Sequence, residues 1–167
     1  FVGGFYDQAG NHGPVMNGLN TVGFVDPSAP FAFDGGLLPL GVAGQTATLL
    51  TTGEVLLAGG EGAGSTPLAV TWLYADGGVL AQGSLIEPRI GHSATLLSDG
   101  TVLVIGGVTD AGTSTATVES YDRQRGGWLP FLPLTTARAW HSATALEDGT
   151  VLVAGGIGDD GGVLDTA

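Results

Sequence analysis

The chain has 167 residues, of which 31 are Gly and 8 are Pro, and only 12% are charged, about half the share of an average domain. Apolar residues at 43% supply enough surface for a buried core, which excludes a disordered chain. Four basic against sixteen acidic residues, net −12, argue against nucleic acid or anionic membrane as partner, because neither counterion release nor headgroup attraction has cations to draw on.

In chain order, the sequence opens on Phe1-Val2-Gly3-Gly4, the faint tail of a unit that recurs more strongly three times. Residues 5–40 carry the weakest pattern. Residues 45–60 then read QTATLLTTGEVLLAGG, 92–107 read HSATLLSDGTVLVIGG, and 141–156 read HSATALEDGTVLVAGG. The second and third agree at 13 of 16 positions and the first and second at 9, more than shared composition explains. The double glycines Gly3-Gly4, Gly59-Gly60, Gly106-Gly107 and Gly155-Gly156 are spaced by 56, 47 and 49 residues, a period of about 48.

Each copy predicts a hairpin. Two runs rich in Leu, Val, Ile and Thr flank Thr52-Gly53, Asp99-Gly100 or Asp148-Gly149, and Asp-Gly between such runs predicts a two-residue type I′ turn. In the second run Val102 and Val104 oppose Leu103 and Ile105, so that strand is apolar on both faces, as in a sheet sandwiched between like sheets. After the double glycine comes a polar loop, a third strand from Thr115 to Asp122, a Gly-rich turn and a fourth run from Trp128 to Leu134. Four short strands per unit, with no helical periodicity and a glycine load that penalises helices, predict an all-β chain.

These units resemble the kelch repeat. The carriers are Arg89-Ile90-Gly91-His92 and Arg138-Ala139-Trp140-His141, the apolar run into Gly-Gly, then Tyr121-Asp122 and Trp128. The copy at Gln45 departs from the pattern, with Gln for His, Val42 for Arg and Leu80 near the position of Trp; Val25-Asp26-Pro27 replaces Tyr-Asp in the opening copy. The resemblance implies a kelch-type β-propeller of four-stranded antiparallel blades: the end of one blade over 1–40, full blades over 41–88 and 89–137, and the first half of a further blade over 138–167. A ring of four to eight such blades needs roughly 190 to 390 residues, so the propeller is expected to be completed by a longer polypeptide or by other copies.

Candidate chemistry is sparse. His92 and His141 have no metal-ligand spacing and occupy equivalent places in the repeat. Strand order brings Arg89, His92, Arg138, Trp140 and His141 to the end that also carries the loops 61–68, 108–114 and 157–164. That end is the expected binding surface, with Arg contacts suited to a carboxylate and Trp140 flanking the ligand; a neighbouring carboxylate could equally take the Arg charges. Asp110, Asp159 and Asp160 are weak calcium candidates in Gly-rich loops, with no EF-hand pattern, and no cofactor is otherwise expected. With no Cys, thiolate sites are excluded, including the Tyr-Cys cofactor of kelch-type copper oxidases. No run of 18 apolar residues could span a membrane. The first function class is a non-catalytic protein-interaction or structural module at the cell surface or outside the cell, soluble, taking a protein or carbohydrate ligand. The alternative is a propeller enzyme acting on carbohydrates whose active site lies outside this segment.

Overall fold

The computed structural model describes residues 21–25 and 32–167, with side chains from Leu38 onward. The described chain is all-β apart from a single 3₁₀ turn, Ala63–Ser65. β1 (Thr21–Val25) and β2 (Ala32–Leu37) form an antiparallel pair within the segment expected to hold two strands; Phe1 to Gly4 and Asp26-Pro27 lie outside the described residues. β3 (Thr46–Leu49), β4 (Val55–Ala58), β5 (Val70–Ala75) and β6 (Gly78–Ser84) form a four-stranded antiparallel sheet in chain order. β7 (Ser93–Leu96), β8 (Val102–Ile105), β9 (Val118–Asp122) and β10 (Gly127–Phe131) form a second. β11 (Ser142–Ala145) and β12 (Val151–Ala154) form a hairpin with no third strand among the described residues.

The sheets stand face to face. β3 packs beside β7 and β7 beside β11, and β6 lies beside β10, so like strands meet like strands. The two-faced pattern of β8 explains why. Val102 and Val104 join Leu50, Leu56, Leu73, Tyr121 and Trp128 between the two full sheets, whereas Leu103 and Ile105 join Val118 and Val153 on the side of the hairpin. All four β8 side chains are at most 5% exposed, and burying each contributes about 1.5–3 kcal/mol. Trp128 also ties the sheets together, its Nε1–H donating to Thr71 Oγ1 at 3.3 Å. At the far end Arg123 donates twice to the Glu54 carboxylate, at 2.7 and 2.9 Å.

The hairpin turns differ from the type I′ expectation. Only the glycines Gly53, Gly100 and Gly149 have positive φ in these turns. Gly100 N–H donates to Leu97 O at 3.0 Å and Leu97 N–H to Thr101 O at 2.8 Å, which is a three-residue loop ending on a left-handed glycine. The Thr52-Gly53 turn closes in the same way, Gly53 N–H to Leu50 O at 3.0 Å and Leu50 N–H to Glu54 O at 2.8 Å. In the other two, Asp99 Oδ1 accepts the Thr101 N–H and Asp148 Oδ1 the Thr150 N–H, each at 2.9 Å, which suits an Asp at negative φ. The Thr101 N–H holds the Asp99 carboxyl below its ordinary range, and the Thr150 hydroxyl, donating to Asp148 Oδ1 at 2.7 Å, followed by the Thr150 N–H, does the same for Asp148. Two consecutive positive φ values, the mark of the type I′ turn, occur instead at Asp76-Gly77 between β5 and β6. The register also makes Val79, partner of Tyr74, the counterpart of Trp128, partner of Tyr121; Leu80 faces solvent.

Candidate functional site

The repeat places the residues that precede each first strand beside the loop that follows each second strand. Ala43 bridges Glu61, Ile90 bridges Val108 and Ala139 bridges Ile157. The segments 42–45, 89–92 and 138–141 therefore share one end of the assembly with the loops 61–67, 108–114 and 157–163, and adjacent units are stitched there. Gly60 N–H donates to Arg89 O at 3.0 Å and Gly107 N–H to Arg138 O at 2.9 Å.

The double glycines are required by this stitching. A Cβ on Gly59 would lie 2.5 Å from His92 Cε1 and 2.9 Å from the Arg89 carbonyl oxygen of the next unit. On Gly60 it would lie 2.6 Å from the Ala43 oxygen of its own unit.

Arg89 is wholly buried. Its guanidinium donates to Gly106 O at 2.8 Å, Thr117 O at 3.2 Å, Thr117 Oγ1 at 3.0 Å and Glu119 Oε1 at 2.6 Å; Glu87 Oε2 lies 3.3 Å away. Glu119, 2% exposed, also accepts the backbone N–H groups of Ile86 and Glu87. Arg138 is 4% exposed and bonds Gly155 O and Thr166 O. Both guanidinium groups thus face inward. The Arg residues hold their own units together, and neither side chain is displayed for ligand.

The first full sheet solves the same position without charge. Val42 stands where Arg89 does, and Trp72, opposite Leu57, stands where Glu119 does, opposite Val104. Val42 and Trp72 are buried in one apolar cluster with Leu38 and Leu57. An ion pair and an apolar pair are interchangeable solutions at such a site.

His92 and His141 are joints between units. His92 Nε2 lies 3.1 Å from Thr46 Oγ1 of the preceding unit, and His141 Nε2 lies 2.9 Å from Ser93 Oγ. Burial, followed by the Arg89 charge, lowers His92 to about 4, and burial, followed by Arg138, lowers His141 to about 4. An unfolded His titrates near 6.5, so the unfolded chain takes up protons that the folded chain refuses. This stability is complete above about pH 6.5 and is lost as pH falls toward about 4. For His92 the full loss is on the order of 3 kcal/mol. Urea midpoints measured between pH 7 and 4.5 should fall, and His92→Gln should flatten that fall; an unchanged slope would assign the acid sensitivity to other groups.

Trp140 is the exposed member of the set. The residue is 59% exposed, and its backbone N–H donates to Gly91 O of the neighbouring unit at 2.7 Å. The indole lies on Gly91, where a Cβ would meet Trp140 Cε2 at 2.6 Å. Its φ is +58°, a left-handed conformation that costs an ordinary side chain roughly 1–2 kcal/mol. The equivalent residues are Gly44, φ +66°, and Gly91, φ +63°. Aligning 41–44 with 88–91 and 137–140 shows a Trp in a column of glycines, which is the signal that could have singled it out.

The calcium candidates are not assembled. Asp110 lies on one loop and Asp159 and Asp160 on the next, all exposed, and Asp160 Oδ1 accepts the Gly162 N–H at 2.8 Å. Among the described residues no three His, Asp or Glu side chains converge as a metal site.

Neither a protein-family model nor a curated protein matches the chain. Among solved structures it is similar to a fungal alcohol oxidase of the AA5 family in complex with copper, with a TM-score of 0.67 and 19% identity over 79% of this chain. The chain spans 32% of the length of that oxidase. At this identity the likeness concerns the fold.

Proposed function

We propose that this chain is a section of a kelch-type β-propeller acting as a non-catalytic binding scaffold, with ligand contact around Trp140. The radial arrangement is supported by like strands meeting like strands, by the near-constant period, and by the likeness to the AA5 oxidase. The binding role rests on one observation: an exposed indole occupies a left-handed position where the two equivalent residues are glycines. A bulky residue held at that cost with most of its surface in solvent supports a role for what it presents outward. A flat, rigid aromatic surface flanked by loops suits the ring face of a sugar or an apolar peptide side chain.

Trp140→Gly is the direct test. Since Gly44 and Gly91 adopt the same backbone, the variant should keep its melting temperature within a few degrees. Its capture on arrays of immobilised glycans and peptides should fall at least tenfold from the wild-type level. Capture equal to wild type would remove Trp140 from the binding surface.

The second reading, favoured by the likeness to a copper-bound alcohol oxidase, is a propeller enzyme whose reactive centre lies elsewhere. The described residues do not fit a copper centre: the chain lacks Cys and no His or carboxylate cluster converges. Oxygen uptake with primary alcohols after copper loading would favour this second reading over the first.

A further inference from the structure

The end of the assembly that carries Trp140 displays no Lys or Arg charge. The chain has four such residues, all of them Arg. Arg89 and Arg138 turn inward there and are at most 4% exposed. Arg123 and Arg125 belong to the β9–β10 turn at the far end, where they pair with Glu54 and Asp122. The expected Arg contacts to a ligand carboxylate therefore have no donor. The loops around Trp140 show the opposite charge: Asp110, Asp159 and Asp160 are exposed and enter no ion pair among the described residues.

Two of these aspartates flank the indole. Ile90, adjacent to the Gly91 on which the indole rests, bridges Val108, two residues before Asp110. Ala139, adjacent to Trp140 itself, bridges Ile157, two residues before Asp159. Ser114 Oγ donates to Ile157 O at 2.9 Å, which ties the two loops together. Asp160 is instead engaged by the Gly162 N–H of its own loop. This column of residues opens to solvent in the interior of the chain as well. Gly44, with a complete neighbouring sheet in place, is exposed and has nothing within 4 Å of where a Cβ would lie.

An indole face carries the negative part of the ring quadrupole and attracts a cation within about 6 Å of its centroid. Carboxylates without counter-charge beside it act in the same sense, and a neutral ligand would leave both unused. We propose that Trp140, with Asp110 and Asp159, binds an Arg side chain of a basic polypeptide partner, the guanidinium lying on the indole and the carboxylates supplying counter-charge. Guanidinium is favoured over ammonium because it is planar, weakly hydrated and stacks on aromatic faces. The net charge of −12 steers such a partner toward the chain. The proposal rests on Trp140 being the contact surface and gives its ligand a charge.

The probe is a synthetic peptide of alternating Gly and Arg, compared at physiological salt with its citrulline counterpart, which has the same shape and no charge. The Arg peptide should bind the 167-residue chain about tenfold more tightly or better, and should shift the Trp140 indole N–H resonance. Trp140→Leu, which keeps an apolar side chain, and the double variant Asp110→Asn with Asp159→Asn should each weaken it about fivefold or more. Asp76→Asn, in the β5–β6 turn at the far end, should leave it unchanged. Arg and citrulline peptides bound alike, and both lost in Trp140→Gly, would overturn the cation and keep Trp140 as the contact surface. An Arg peptide held equally by wild type and Trp140→Gly would mean attraction to an acidic chain at large and overturn the proposal. Absence of binding at millimolar peptide would overturn it too, while the glycan and peptide arrays still judge Trp140 itself. If Trp140→Leu unfolds, the two peptides on wild type and Trp140→Gly still decide.

Discussion

Replacing Glu119 by Gln should destabilise the protein by about 3–5 kcal/mol, the cost of breaking a buried ion pair from one side. The loss is large because Glu119 holds the wholly buried Arg89 and the backbone N–H groups of Ile86 and Glu87 at once. The first full sheet suggests the compensating change. Val42 and Trp72 occupy the two positions without charge, so the double variant Arg89→Val with Glu119→Trp should recover at least half of the loss. Urea unfolding of the single and double variants measures both. A double variant less stable than the single would show that the two sheets do not share an interchangeable site.

Gly106→Ala should be comparably damaging. Gly106 has φ +59°, and a Cβ there would collide with the Arg138 carbonyl oxygen and come within 2.9 Å of His141 Cε1. The left-handed backbone costs roughly 1–2 kcal/mol for Ala, and forced repacking against a rigid carbonyl adds about 1–3 kcal/mol. Gly53→Ala serves as the control: it has φ +89° with open space around the new Cβ, so only the backbone cost should appear. Melting curves that place the two variants together would remove the inter-unit contact from the explanation.

Strand identity and pairing were readable because they rest on local patterns. Val102 to Ile105 alternate between two apolar environments, and the structure buries both faces of β8 in separate clusters. The double glycines were visible as punctuation, but their reasons are distant: Gly59 and Gly106 face the His ring and Arg carbonyl of the next unit, and Gly60 and Gly107 the carbonyls of Ala43 and Ile90 earlier in their own units. Turn type was misread because the dipeptide preference does not register loop length: all three turns close over three residues, Leu50 to Glu54, Leu97 to Thr101 and Leu146 to Thr150, and need positive φ at the glycine alone. Arg89 and Arg138 were legible as belonging to the shared end, yet not as inward-facing: charge in a sequence suggests solvent, whereas Arg89 turns onto the Gly106 and Thr117 carbonyls and Glu119, and Arg138 onto the Gly155 and Thr166 carbonyls. Glu119 left a trace that pairwise reading could have caught, since the copy that lacks the Arg also lacks the Glu.

Every strand of the two full sheets pairs with its immediate neighbour in the chain, and the Gly53 and Gly100 turns are closed by backbone bonds from Gly53 N–H to Leu50 O and from Gly100 N–H to Leu97 O. Closing such pairings spans short loops, which favours rapid formation. The faces between the sheets, with Leu56 and Leu73 against Val102, Val104 and Trp128, are buried only when the neighbouring unit is in place, with His92 seated beside Gly59 and Thr46. The order of the units along the chain is thus the order in which their mutual contacts become available.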